Sequence, residues 1–177
     1  MKTLRHLLFI LITTWLLQSC SGEGFHLRGH GNLPAIQEAF YIEGINLQTP
    51  FGSVLRNALN QSGSKVVQDP DQASVLLTIS NLVEDKTAAG YSRARKVREY
   101  DIFIRMNYSF RNANGHDSLK AGGNSINLTR TQLYDSEFAL GKAEEEKTIQ
   151  RELEQKAAQL ILLKLQYSHK NKEELKK

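Results

Sequence analysis

Between Tyr100 and Phe110 the chain alternates: Tyr100, Ile102, Ile104, Met106, Tyr108 and Phe110 fall on one face of an extended strand, and Asp101, Arg105, Asn107 and Ser109 fall largely on the other. A period of two suits a strand with one face buried and one face wet, and a helix would scatter these apolar residues around its whole circumference. Asn112-Ala113-Asn114-Gly115 follows at once, and Asn-Gly accepts the positive φ that a tight hairpin needs. The chain must therefore supply an antiparallel neighbour for this strand and an apolar layer for one side of it.

The flanking segments supply both. Ala39 to Glu43 reads as a short strand, with Phe40 and Ile42 alternating with Tyr41 and Glu43. Thr49-Pro50 then opens a helix, with Thr49 as N-cap and proline at the first helical position. Phe51, Val54, Leu55, Ala58 and Leu59 trace one apolar face on it, and Gly63 stands where a helix stop is expected. Asp69-Pro70-Asp71 makes a turn into a second strand from Ala73 to Asn81, whose Leu76 makes both faces partly apolar, as in a central strand. A fourth strand is expected over Leu119 to Thr131, with a bulge at Gly122-Gly123 where its apolar phase slips. From Asp135 the chain turns helical, with Ile149, Leu153, Ala157, Leu160, Ile161 and Lys164 as the core-facing stripe, and residues 167–177 read as a charged, solvated tail. The order strand, helix, three strands, helix predicts an α+β fold of two helices packed on one four-stranded sheet.

The N-terminus belongs to a different class. Lys2 and Arg5 precede an apolar run from Leu7 to Leu17, then Gln18, Ser19 and Cys20, which is the order of a secretory signal. The run is shorter than the roughly 20 residues that a membrane-spanning helix requires. Cys20 is the only cysteine, so it has no partner for an intrachain disulfide. Leu17-Gln18-Ser19-Cys20 resembles the bacterial lipoprotein box, which implies cleavage before Cys20 and acylation of its thiol and new amine, with Ser21 directing the product to the outer membrane. Residues 1–19 are then a signal peptide, 20–33 a glycine-rich lipidated tether, and 34–166 the folded domain. Removing 1–19 from 177 residues leaves 158, enough for one domain held by burial alone.

Charge narrows the partners. Without Lys2 and Arg5 the 23 basic residues become 21 against 19 acidic, an excess of 2 that does not call for nucleic acid. Local clustering matters more, and Arg93, Arg95, Lys96 and Arg98 place four cations in six residues. Arginine offers paired donors to phosphate or carboxylate oxygens. The chain has no phosphate-binding glycine loop, no Gly-x-Ser-x-Gly and no Cys-His pair. His26 and His30 stand four apart, but Gly29 and Gly31 oppose a helix there and no third ligand is near, so no metal is expected. The expectation is a protein that is not an enzyme and has no cofactor beyond acyl chains on Cys20.

Gly24-Phe25-His26-Leu27-Arg28-Gly29, close behind a cysteine and ahead of Leu33-Pro34, resembles the opening of the LptE family of lipopolysaccharide-assembly lipoproteins. The family pattern is commonly Cys-Gly-Phe/Trp-His/Gln-Leu-Arg, and here Ser21, Gly22 and Glu23 are inserted after the cysteine. The same family has the strand and helix order deduced above. The resemblance implies a lipoprotein anchored to the outer membrane on its periplasmic side, plugging the β-barrel LptD and binding lipopolysaccharide on its way to the outer leaflet. It also implies that basic residues of the loop before Tyr100 and of the entry to the last helix contact lipopolysaccharide. Counting back from Glu99-Tyr100, Arg93 is the nearest positional match, with Arg95, Lys96 and Arg98 able to do the same, and Lys142 in Phe138-Ala139-Leu140-Gly141-Lys142 matches the other. An alternative is an auxiliary lipoprotein of another envelope lipid transporter, which the stretch from Asp69 to Thr78 would fit equally well.

Overall fold

The computed structural model describes residues 36–113, 124–135 and 139–174. The signal peptide, Cys20, the tether, the Asn114-Gly115 turn and the Gly122-Gly123 bulge lie outside the described residues. The elements are β1 (Ala39–Glu43), α1 (Pro50–Gln61), β2 (Lys65–Val67), β3 (Val75–Tyr91), β4 (Val97–Asn112), β5 (Asn124–Leu133) and α2 (Ala139–Glu174). They form one five-stranded sheet in the order β2-β1-β3-β4-β5. β1 runs parallel to β2 and β3, and the other neighbours are antiparallel. The α+β class is as expected, and the strand count is corrected from four to five. Lys65-Val66-Val67 is too short for any alternation to show, and it becomes a strand because α1 returns the chain alongside β1.

Local chemistry accounts for α1. The Thr49 hydroxyl accepts from the Gly52 N–H at 3.2 Å, satisfying one orphan donor of the first turn, and Pro50 occupies the first helical position. Gly63 ends the helix at φ +89°, a conformation glycine adopts without strain. Phe51, Leu55 and Leu59 are fully buried, with Val54 and Ala58 packed at the margin of the core. Ser64, also buried, donates from its hydroxyl to the Ile36 carbonyl at 2.6 Å and so ties the incoming chain to the end of α1. Gly44, at φ +89° after β1, lies so close to the β3 backbone that a Cβ there would stand 1.9 Å from the Ile79 carbonyl oxygen.

The core lies on one side of the sheet. Phe40, Ile42, Val75, Leu77, Ile79, Ile102, Ile104, Met106, Tyr108, Phe110 and Ile126 face α1 and α2. The buried stripe of α2 is Ile149, Leu153, Ala157, Ile161 and Leu165, joined by Ala158. Leu160 and Lys164, expected in that stripe, are exposed instead. A spacing of four overshoots the 3.6-residue turn, so the contact line winds around the helix as it crosses the sheet and leaves 160 and 164 outside. α2 also continues to Glu174, across most of the segment that the charge pattern assigned to a solvated tail. Lys and Glu are good helix formers, and extending a helix already nucleated by packing adds one hydrogen bond per residue.

β3 departs furthest from expectation. It continues past Asn81 for ten more residues, to Tyr91, across Glu84-Asp85-Lys86 and Ala88-Ala89-Gly90. The pairing with β4 slips between Ser80 and Val83, where Asn81 takes φ +53°, and slips again around Gly90. A bulge of this kind admits an extra residue and changes which residues face the core.

Candidate anion-binding hairpin tip and hydrophilic sheet face

The basic cluster is the tip of the β3–β4 hairpin. Ser92 organises the turn: its N–H donates to the Lys96 carbonyl at 2.8 Å, its carbonyl accepts from the Arg95 N–H at 2.9 Å, and its hydroxyl accepts from the Lys96 N–H at 3.2 Å. Arg95 closes the turn in the left-handed region at φ +58°. A turn this tight has no interior, so Arg93, Arg95 and Lys96 are exposed, as is Arg98 at the start of β4. None of these four cations has an acidic partner among the described residues. Tyr91, at the base of the turn, is 64% exposed.

Lys142 comes to the same end of the sheet. The Gln132 side-chain amide donates to the Lys142 carbonyl at 2.8 Å, and Gln132 lies opposite Tyr100 in the β4–β5 ladder. Beyond that pair, the Tyr134 N–H donates to the Arg98 carbonyl at 2.7 Å. The start of α2 therefore sits beside the root of the basic hairpin. Unlike the tip cations, Lys142 is engaged: its ammonium lies 2.7 Å from the Glu145 carboxylate. That hydrogen bond, with a second from Gln132, holds the Glu145 carboxyl below its ordinary range.

Behind the tip, the helix–sheet interface sets charged and aromatic groups beside the buried Ile102, Ile104, Ile149 and Leu153. Lys86 reaches from β3 to Glu146 at 2.6 Å and lies 5.3 Å from the centre of the Tyr100 ring. Tyr100 meets Tyr134 edge to face at 5.3 Å. Arg130 of β5 pairs with Glu152 of α2. Two residues on, Glu154 is 7% exposed and faces a small cavity shared with Glu84, Pro50, Ile102, Ile104 and Leu153. Burial raises the carboxyl pKa of both glutamates, and the Glu84 charge raises that of Glu154 further, against a smaller lowering by the Arg151 charge. These charges escaped the sequence reading because each becomes meaningful only when a bulge and a distant register put two of them together.

The opposite face of the sheet is hydrophilic. Register places Thr78, Ser80, Thr87, Asp101, Arg105, Asn107, Ser109, Ser125, Asn127, Thr129 and Thr131 on it. The Arg105 guanidinium donates to the Asn127 amide oxygen at 3.2 Å and lies 4.3 Å over the Phe103 ring. The Thr131 hydroxyl donates to Asp101 at 2.6 Å. Both helices lie on the other side, so among the described residues nothing packs over this face. The wet side expected from the Asp101–Ser109 alternation is thus present and extends over three strands. Among the described residues no group of three His, Cys, Asp or Glu side chains is placed to hold a metal.

Known proteins are similar to this chain in sequence and fold. The family model for LptE, lipopolysaccharide-assembly, matches residues 37–165. The LPS-assembly lipoprotein LptE of Pectobacterium atrosepticum is 25% identical over 163 residues, covering 92% of this chain and 86% of the relative. The solution structure of lipoprotein B from Nitrosomonas europaea superposes with a TM-score of 0.63 at 26% identity, over 79% of this chain and 88% of that one. The crystal structure of rare lipoprotein B from Shewanella oneidensis gives 0.64 at 18% identity, over 76% and 98% respectively, and there the likeness is one of fold.

Proposed function

The chain belongs to the LptE family of lipopolysaccharide assembly, and from that premise we propose that it is an acyl-anchored plug of the LptD barrel that presents its hairpin tip to lipopolysaccharide. Cys20 carries the acyl chains, and three chains together hold far more firmly than the marginal grip of one. The domain is held at the periplasmic side of the outer membrane. Its hydrophilic sheet face, rich in hydroxyl and amide groups, suits the polar lumen of an outer-membrane barrel. The chemistry is non-covalent.

The observation that carries this reading is that Arg93, Arg95, Lys96 and Arg98 stand exposed at one end of the sheet, without acidic partners among the described residues. Lipid A and the inner core of lipopolysaccharide carry phosphates, to which arginine donates in pairs. Lys142 joins the contact by exchanging Glu145 for a phosphate. The tip thus holds the anionic head group while the rest of the domain occupies the lumen.

Charge reversal at Arg93, Arg95 and Lys142 together tests this. Lipopolysaccharide retained in a pull-down should fall by about tenfold or more, since charge-assisted hydrogen bonds contribute about 1.5–3 kcal/mol each. The melting temperature and the recovery of LptD should stay at the wild-type level. Undiminished lipopolysaccharide retention would remove the hairpin tip from the mechanism.

A further inference from the structure

The two edges of the sheet are unlike. β2 closes one edge with three residues, Lys65 to Val67, and a short edge strand offers little for another chain to pair with. β5 closes the other with ten residues, Asn124 to Leu133, in unbroken register with β4. The Tyr134 N–H bonds to the Arg98 carbonyl, directly opposite it, so Tyr134 belongs to a hydrogen-bonded pair. Alternation along an antiparallel ladder then turns the N–H and C=O groups of Leu133, Thr131, Thr129, Asn127 and Ser125 away from β4. None of these backbone groups has a partner among the described residues. The usual protections are missing too: β5 has no proline, no lysine and no bulge, and its single charge, Arg130, points to the helix side.

We propose that the β5 edge accepts an extended segment of the barrel partner as a sixth strand of the sheet. This rests on the plug reading above. A row of alternating donors and acceptors along extended backbone is matched by another extended backbone. The side chains of Ser125, Asn127, Thr129, Thr131 and Leu133 lie on the hydrophilic face, so edge and face form one continuous surface that a single enclosing partner meets. A closed barrel has no free strand edge of its own, so the sixth strand comes from one of its loops turned into the lumen.

The test uses the full chain carrying Thr129→Pro or Thr129→Ala. The Thr129 N–H makes no bond within the sheet, and proline is tolerated at such edge positions, so both variants should melt near the wild-type temperature. Thr129→Ala should recover the barrel from solubilised membranes as the wild type does, and Thr129→Pro about tenfold less, the effect of one lost hydrogen bond and a blocked edge. Independently, the amides of Ser125, Asn127, Thr129 and Thr131 should exchange with solvent more slowly in the wild-type complex than in the chain alone. Unslowed exchange, or full barrel recovery by Thr129→Pro, overturns the sixth strand and leaves the plug standing. Failure of the wild type to recover any barrel overturns the plug itself. Self-association of the wild type that Thr129→Pro abolishes would assign the edge to a second copy and overturn this proposal.

Discussion

The helix–sheet interface has two halves, one wholly apolar and one in which charges share the interface with apolar residues. Near the chain entry at Ile36, Phe40, Leu77 and Ile79 of the sheet meet Phe51, Leu55 and Leu59 of α1 and Ile161 and Leu165 of α2, with no charged side chain among them. Toward the hairpin tip the same two layers meet through Ile102, Ile104, Ile149 and Leu153 together with Lys86 and Glu146, Arg130 and Glu152, and Glu84 and Glu154. The first half obeys area: burial of apolar surface stabilises by about 25 cal/mol per Å² wherever it occurs. The second depends on pairing, since partly exposed ion pairs contribute only about 0–1 kcal/mol and a buried carboxylate without a cation is a cost. The difference teaches that the purely apolar packing is concentrated at one end of the sheet, while at the other end the apolar packing is shared with groups that must be paired or neutralised.

Truncation should separate the halves most sharply. Phe51→Ala should cost about 3–5 kcal/mol in chemical unfolding, a large share of the 5–15 kcal/mol that a domain of this size possesses. A loss under about 1 kcal/mol would erase the distinction. The pH dependence should sharpen it. Raised carboxyl pKa values mean that the folded state holds the Glu84 and Glu154 protons more tightly than the unfolded chain does. Their contribution is therefore favourable below the ordinary glutamate range and is lost as pH rises through the raised values. Glu154→Gln should raise the melting temperature at about pH 7.5 and lose that advantage by about pH 4, where the wild-type carboxyl is itself protonated. A melting temperature lowered at neutral pH would mean that the Glu154 charge is compensated after all. The smallest effect belongs to Lys86→Ala, about 1 kcal/mol or less, because the Lys86 side chain is 41% exposed and its pair with Glu146 is screened by water.

The apolar half was legible in the sequence because its signals are local. The Thr49-Pro50 start, the Phe51–Leu59 stripe, the Gly63 stop and the Tyr100–Phe110 alternation of β4 are each carried by residues close together in the chain. The polar half was not. Asn81 at φ +53° slips β3 by a residue, so the charges of Glu84 and Lys86 fall toward the helix side, where no pattern rule would place them, and the alternation that begins at Ala73 stops at Asn81, ahead of them. Their partners, Glu146 and Glu154, lie about 60–70 residues away on a helix whose contact line winds past Leu160 and Lys164. Of the basic residues singled out, the structure puts Arg93, Arg95, Lys96 and Arg98 on one exposed turn and brings Lys142 to its root. The Lys142–Glu145 pair is a three-residue helix spacing, but that it competes for the same ammonium became visible only with the side chains in place.

β3 has a further consequence. Its seventeen residues separate the chain entry, beside Val75, from the cations beyond Tyr91 by about 50 Å at roughly 3.3 Å per residue. β3 is thus a measuring rod whose graduation is the rise of the backbone. Deleting two opposed residues from each of β3 and β4 would draw the tip in by about 7 Å with every remaining side chain still on its own face, whereas deleting one from each would turn the distal ribbon inside out.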